Sequence, residues 1–87
     1  NYVSAKVAIG NIFMMKGNFK KAEEIYQQVL RIDPKNFTVY NNLGLIYLQQ
    51  EKNRGQALYH FKKSLEINPS QPEAKSIMDR IKSIQNN

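Results

Sequence analysis

The chain has 87 residues and a net charge of +6, from 13 Lys and Arg against 7 Asp and Glu, and this length limits it to one small domain. It contains no cysteine, which excludes disulfides, zinc–thiolate sites and thiol catalysis. The hydrophobic fraction of 41% is too high for a disordered chain, but no stretch approaches the ~18 apolar residues of a membrane span. The basic residues are scattered, which is typical of a solvated surface.

The first apolar pattern predicts a pair of helices. Ile9, Ile12 and Phe13 recur at the three-and-four spacing of an amphipathic helix. The motif "KGN" ends this helix and supplies Asn18 as the N-cap of the next one. The second helix ends before Pro34, because the residue preceding a proline is disfavoured in helical conformation. Its apolar stripe consists of Ala22, Ile25, Tyr26, Val29 and Leu30.

A second pair of helices follows with the same organisation. Leu43, Ile46 and Tyr47 repeat the spacing of the first helix. The break at "EKNRG" offers Asn53 as the N-cap of a fourth helix, which ends before Pro69. The apolar stripe of this fourth helix consists of Ala57, Phe61 and Leu65.

The C-terminal segment predicts one more helix. The motif "SQPE", from Ser70 to Glu73, has the form of a capping box, in which the serine and the glutamate each bond a free amide of the first turn. The sequence therefore predicts an all-α fold of about five helices. The apolar stripe of the fifth helix consists of Ala74, Ile77, Met78, Ile81 and Ile84.

The two helix pairs are copies of one another. Gly10 and Gly44 are 34 positions apart, whereas Pro34 and Pro69 are 35 positions apart. One residue has therefore been inserted in the second copy, within "QEKNRG". A period of this length indicates an array of stacked helical units.

The repeated residues resemble the tetratricopeptide repeat, a family of paired-helix units with a period of about 34. The resemblance implies a superhelix of antiparallel helix hairpins, with one repeat at 3–36, a second at 37–71, and a capping helix or truncated third repeat at 72–87. It also implies that Gly44 lies where the two helices of a hairpin cross closely, beside the helix of Ala57. The residues that carry the resemblance are Ile9, Gly10, Phe13, Gly17, Phe19, Ala22, Tyr26 and Pro34, then Tyr40, Leu43, Gly44, Tyr47, Ala57, Phe61 and Pro69.

The resemblance further implies a concave groove lined by the first helix of each hairpin. Such a groove would bind an extended or helical peptide, with amides bonding its backbone and aliphatic residues contacting its side chains. We expect Asn41 to point into the groove more directly than Asn42, which occupies a position that is often asparagine in the family. The predicted partner-binding residues are Val7, Asn11, Met14, Thr38, Asn41, Asn42, Leu45, Leu48 and Arg80, with Ser4, Met15, Gln49, Glu73 and Ser76 beside them.

Some members of the family grip acidic C-terminal tails with a carboxylate clamp of two asparagines and three basic residues. Asn11 and Asn42 match the two asparagines. Val7, Glu73 and Ile77 stand where the basic residues are required, so we do not expect binding of this type.

The sequence shows no constellation for catalysis, and we expect no cofactor and no metal. Glu23 and Glu24 are interpreted as surface charges among lysines and glutamines. His60 is interpreted as a half-buried packing residue, because no cysteine and no second histidine is present to complete a metal site.

These observations favour a non-catalytic module or scaffold that binds a partner protein, either on its own or within a larger assembly. Self-association through the apolar outer flanks of the end helices is an alternative form of this function. Another alternative is the repeat portion of a larger enzyme, such as a glycosyltransferase, that presents protein substrates. Nucleic-acid binding is disfavoured because most aromatic residues are assigned to the core. We interpret the chain as a piece of a longer protein, and we expect this segment to be cytoplasmic.

Overall fold

The computed structural model describes residues 1–50 and 53–86, and in these ranges every regular element is an α-helix. The prediction of an all-α fold with five helices is confirmed. No helix in the described ranges has both the length and the apolar character needed to cross a membrane. The helices are α1 (Tyr2–Met15), α2 (Phe19–Ile32), α3 (Phe37–Leu48), α4 (Arg54–Ile67) and α5 (Ala74–Gln85).

Asparagine side chains start the first three helices. The Oδ1 atom of Asn1 accepts a hydrogen bond from the amide of Ser4 at 2.8 Å, and Asn18 and Asn36 cap α2 and α3 in the same way. Each bond satisfies one of the free amides of a helical first turn. The predicted N-cap at Asn18 is therefore confirmed.

The starts of α4 and α5 differ from expectation. Asn53 precedes α4 but makes no capping side-chain bond. The predicted capping box is wrong, because α5 begins at Ala74 and Glu73 makes no capping bond. Ser70 instead donates its amide and its hydroxyl to the side chain of Asn68, forming a local turn. The inserted position of the second copy lies in a segment that includes residues 51–52, which are outside the described ranges.

The core runs across the junction of the two hairpins. The fully buried residues of α2 face those of α3, and partly buried side chains of α1 pack against the same cluster. A second cluster joins α3, α4 and α5. Stacking one hairpin on the next buries the apolar surface that a single hairpin would leave exposed. The first cluster contains Ala22, Tyr26, Val29, Val39, Leu43 and Ile46, and the second contains Ala57, Phe61 and Ile77.

Two glycines allow the helices within each hairpin to approach closely. A β-carbon added at Gly10 would lie 2.6 Å from the ring of Tyr26, and one added at Gly44 would lie 2.6 Å from the ring of Phe61. Glycine costs about 1 kcal/mol relative to alanine inside a helix, and the packing of an aromatic ring offsets that cost. The expected close crossing of Gly44 with the helix of Ala57 is present, and the nearest side chain of that helix is Phe61, one turn after Ala57.

The outer side of α1 is exposed and forms one of the apolar outer flanks that the sequence predicts at the end helices. Ile9 and Ile12 are 46% and 51% exposed, and Gly10 is the single fully buried residue of α1. At the equivalent positions of the second copy, Leu43 and Ile46 are 0% and 1% exposed because α2 covers them. The same sequence pattern is thus covered in one hairpin and open to solvent in the other.

A chain of hydrogen bonds fixes α4 to its neighbours. The hydroxyl of Ser64 donates to the carbonyl oxygen of Phe37 at 2.8 Å and accepts from the Nε2 atom of Gln71 at 3.0 Å. Gln71 also donates to the carbonyl oxygen of Asn68 at 2.9 Å. Ser64 is 0% exposed and Gln71 is 4% exposed. These bonds hold the start of α3 and the loop before α5 against α4.

We expect Gln71→Ala to lower the free energy of unfolding by about 1 kcal/mol, because it removes the buried hydrogen bonds that the Gln71 side chain donates. Urea unfolding followed by circular dichroism measures this loss. Gln27→Ala changes the same residue type at an exposed position of α2 and should cost nothing. Equal effects of the two substitutions would contradict a structural role for Gln71.

Candidate functional site

The surface between α1 and α3, here called the α1–α3 groove, contains two shallow depressions. The first has a volume of about 290 Å³ and lies between the N-terminal halves of the two helices. The second has a volume of about 350 Å³ and lies at their C-terminal ends. Five of the predicted partner-binding residues line them, namely Val7, Asn11 and Thr38 in the first and Met14 and Leu45 in the second.

A cluster of amides and one phenol spans the middle of the groove. The Nδ2 atom of Asn42 donates to the Oδ1 atom of Asn11 at 2.9 Å, and the hydroxyl of Tyr26 donates to the same oxygen. Burial raises the pKa of Tyr26, while its hydrogen bond with Asn42 acts in the opposite direction. The phenol therefore stays neutral as a donor. This cluster joins α1, α2 and α3 and fixes the spacing of the two groove helices.

Asn41, next to this cluster, has a buried oxygen without a partner. Asn41 is 7% exposed and Asn42 is 8% exposed, so the two side chains are buried to the same extent, and the expectation that Asn41 points more directly into the groove stays a prediction. The Oδ1 atom of Asn41 is buried and accepts no hydrogen bond. A buried unpaired acceptor costs about 1–3 kcal/mol. Asn41 lies one turn from Thr38 and one turn from Leu45, and therefore between the two depressions.

The remaining predicted residues lie outside the two depressions. Leu48 is partly buried and packs against the cluster of Ala57, Phe61 and Ile77, so its contribution is to the core. Arg80 lies on α5 and is partly exposed. The structure brings together the predicted residues of α1 and α3, and it does not bring Arg80 into contact with either depression.

Another depression lies elsewhere on the molecule. It has a volume of about 470 Å³ and is lined by residues of the α2–α3 turn, of α3 and of α4, among them Lys35, Tyr40 and Lys63. Lys63 forms an ion pair with Glu66 at 3.6 Å. Such an exposed pair contributes little stability and is screened by salt.

A second polar cluster, not predicted from the sequence, joins α2, α3 and α4. The hydroxyl of Tyr47 donates to the carboxylate of Glu23, so the interpretation of Glu23 as a surface charge is wrong. Burial, this hydrogen bond and the negative charge of Glu23 raise the pKa of Tyr47 to about 12. The ring of His60 packs 5.1 Å from that of Tyr47, and its Nδ1 atom lies 2.8 Å from the carbonyl oxygen of Gln56. His60 is 7% exposed, so it is more buried than predicted.

His60 should make the stability of the fold depend on pH. Burial lowers its pKa below the usual value of 6.5, and the bond to Gln56 and the charge of Glu23 offset only part of this effect. The unfolded chain therefore takes up a proton more readily than the folded chain. The contribution to stability is complete above about pH 6.5 and is lost as the pH falls below that value.

Urea unfolding at pH 7.5 and at pH 5.5 measures this dependence, and the free energy of unfolding should be lower at pH 5.5. His60→Gln should remove most of the difference, because glutamine does not titrate. A difference of the same size in His60→Gln would assign the pH dependence to other groups.

Comparisons with known proteins agree with this architecture. A family model described as "TPR repeat" matches residues 10–51, and a second one, "Tetratricopeptide repeat", matches residues 37–71. Together they cover all of α2, α3 and α4 and the C-terminal part of α1.

Three curated relatives show where such repeats occur. The chain is 42% identical over 43 residues to the BBSome complex member BBS4 of Bos taurus, a match that covers 49% of this chain and 8% of the relative. It is 33% identical over 48 residues to the stress-induced-phosphoprotein 1 of Caenorhabditis elegans, covering 55% of this chain and 15% of the relative.

The third relative is the type IV pilus assembly protein PilF of Pseudomonas aeruginosa, which is 41% identical over 58 residues, covering 61% of this chain and 23% of the relative. The chain thus spans less than a quarter of the length of each of these relatives. From its paired helices, its close glycine crossings and the two matching family models, the chain belongs to the tetratricopeptide-repeat family, whose repeats are protein-interaction modules.

Proposed function

We propose that the chain is a non-catalytic interaction module that binds a segment of a partner protein in the α1–α3 groove. The observation that carries this proposal is the arrangement of the groove, in which a cluster of side-chain amides lies between two depressions with partly apolar walls. Amides bond a peptide backbone whatever its sequence, and apolar walls contact its side chains. The groove therefore offers both kinds of contact that peptide recognition uses.

The names of the relatives support a module that binds its partner as part of a larger protein assembly. BBS4 is named as a member of a complex and PilF as a pilus assembly protein. We extend from them only the general role, in which the repeats hold one protein against another.

Paired substitutions of exposed residues test this proposal without disturbing the core. Thr38→Glu with Gln49→Glu places one negative charge in each depression, because these residues line the first and the second depression. Gln27→Glu with Ser83→Glu adds the same charge at exposed positions of α2 and α5. Each variant and the unmodified chain are used to capture proteins from cells that express the chain.

A partner that is captured by the unmodified chain and by the α2/α5 variant, but is lost with the groove variant, supports the proposal. Circular dichroism on all three chains checks that their helical content is equal. If the groove variant retains every partner, recognition takes place on another face.

A further inference from the structure

We propose that the occupant of the α1–α3 groove is an uncharged, extended stretch from within a partner chain, with two apolar side chains about four residues apart. This inference rests on the proposed function and specifies the chemistry of the partner. Three properties of the groove support it: its lack of charge, the unpaired oxygen of Asn41, and the distance between its two depressions.

The groove helices carry almost no charge. In α1 and α3, Lys6 is the single residue with a charged side chain. The Nζ atom of Lys6 donates to Gln28 on α2 and lies 5.4 Å from the centre of the Tyr2 ring. The contacts of this ammonium group are therefore with α2 and with the start of α1, and not with α3. A charged group that entered the groove would lose its hydration without gaining an opposite charge. The groove therefore favours a neutral ligand.

The unpaired oxygen of Asn41 requires a hydrogen-bond donor. Asn41 and Asn42 are equally buried, yet Asn42 is hydrogen-bonded and the Oδ1 atom of Asn41 is not. Asn41 lies one turn from Thr38 and one turn from Leu45, which line the two depressions, so a ligand that spans both depressions passes over this residue. Backbone amides inside a helix are already bonded within that helix, whereas those of an extended chain are free. The oxygen of Asn41 therefore favours an extended ligand over a helical one.

The positions of the depressions set the spacing of the apolar side chains of the ligand. Val7 lines the first depression and Met15 the second. They lie eight positions apart on α1, which corresponds to about 12 Å at ~1.5 Å per helical residue. An extended chain advances ~3.3 Å per residue, so about four residues span this distance. Residues four apart on an extended chain point to the same side, as binding in both depressions requires.

A peptide array tests the inference directly. The probes are ten-residue peptides, acetylated and amidated so that neither end is charged, with Leu or Val at two positions four apart. The remaining positions of each peptide are filled with Ser, Thr, Gln and Ala in a first, neutral set. A second, acidic set also contains Asp and Glu, and a third, helical set also contains the helix-promoting residue aminoisobutyric acid. The peptides that bind best are then remade with single backbone N-methyl groups, each of which removes one N–H donor.

We expect binders in the neutral set, and we expect one N-methyl group to weaken binding roughly tenfold, the effect of losing one hydrogen bond to a buried acceptor. The same N-methyl group should have little effect on binding to Asn41→Ala, which lacks the acceptor.

Each other outcome would overturn the inference. The chain could instead bind best to the acidic peptides or to the helical peptides, and lose that binding in the variant Thr38→Glu with Gln49→Glu. This result would leave the groove as the site but refute a neutral, extended ligand. N-methyl groups that weaken binding equally to the unmodified chain and to Asn41→Ala would refute the role of Asn41. The absence of binders would also count against the inference, and binders that are unaffected by the groove substitutions would refute the proposed function itself.

Discussion

Gly44→Leu should lower the melting temperature of the chain by roughly 8–16 °C, since the expected net loss is about 2 kcal/mol and each 1 kcal/mol corresponds to about 4–8 °C in a domain of this size. A β-carbon at this position would lie 2.6 Å from two ring atoms of Phe61. Phe61 is 0% exposed, so its ring has no free space to move into, and α3 and α4 must separate. Overpacking of this kind costs about 3 kcal/mol, which outweighs the ~1 kcal/mol that leucine gains over glycine in helix propensity.

Gly55→Ala is the matched control for this prediction. Gly55 lies in the first turn of α4, and no atom is within 4 Å of a β-carbon added there. This substitution should leave the melting temperature unchanged or raise it, by up to about 1 kcal/mol in stability. Thermal unfolding followed by circular dichroism compares the two variants. If Gly44→Leu melted like the unmodified chain, the close crossing of α3 and α4 would be wrong.

Asn42→Ala and Asn41→Ala should have opposite effects on stability, although the two residues are adjacent and equally buried. Asn42→Ala removes the bonds to Asn11 and Tyr26 and leaves a cavity, so the free energy of unfolding should fall by about 1–3 kcal/mol. Asn41→Ala removes an acceptor that has no partner, so the free energy should be unchanged or rise. The gain in helix propensity is the same at both positions and cancels in the comparison.

Urea unfolding of both variants under one set of conditions provides this comparison. A stability loss in Asn41→Ala as large as that in Asn42→Ala would mean that Asn41 has a structural partner. A stable Asn41→Ala chain that binds its ligand poorly would be the pattern expected of a residue retained for binding at the expense of stability.

The positions and pairing of the helices could be predicted from the sequence because local rules determine them. Apolar spacing, an asparagine such as Asn18 before a helix, and a proline such as Pro34 after one each act within a few residues. The capping box at Ser70 failed because Asn68, two residues earlier, competes for the same serine. A local sequence pattern can offer a side chain more than one hydrogen-bond partner, and it does not show which of them the folded chain uses.

Burial depends on neighbours that the local pattern does not contain. Ile9 and Leu43 occupy equivalent positions and have the same character, yet one is exposed and the other is buried. The difference comes from α2, which covers Leu43 and has no equivalent in front of α1 in the structure. An apolar stripe therefore predicts which side of a helix is suited to burial, and another element decides whether it is buried.

The candidate site could be predicted in part, because family positions identify the residues of the groove but not their bonds. Asn11 and Asn42 bond each other across 31 positions of sequence, and Tyr47 bonds Glu23 across 24. Family positions distinguish Asn41 from Asn42, but they do not show that one side chain is hydrogen-bonded and the oxygen of the other is not. The partners of such side chains follow from how the hairpins stack, which is a tertiary property.

The exposed side of α1 also affects how the chain opens. In repeat arrays each unit is stabilised by its neighbours, and α1 has helices on one side whereas α3 lies between α2 and α4. The amides of α1 should therefore exchange with solvent hydrogen before those of α3, because local opening starts where fewest contacts must break. Since α1 forms one wall of the α1–α3 groove, the groove exists only while the first hairpin is closed. A ligand bound there would slow exchange in α1, so that binding and closure of the hairpin become parts of one equilibrium.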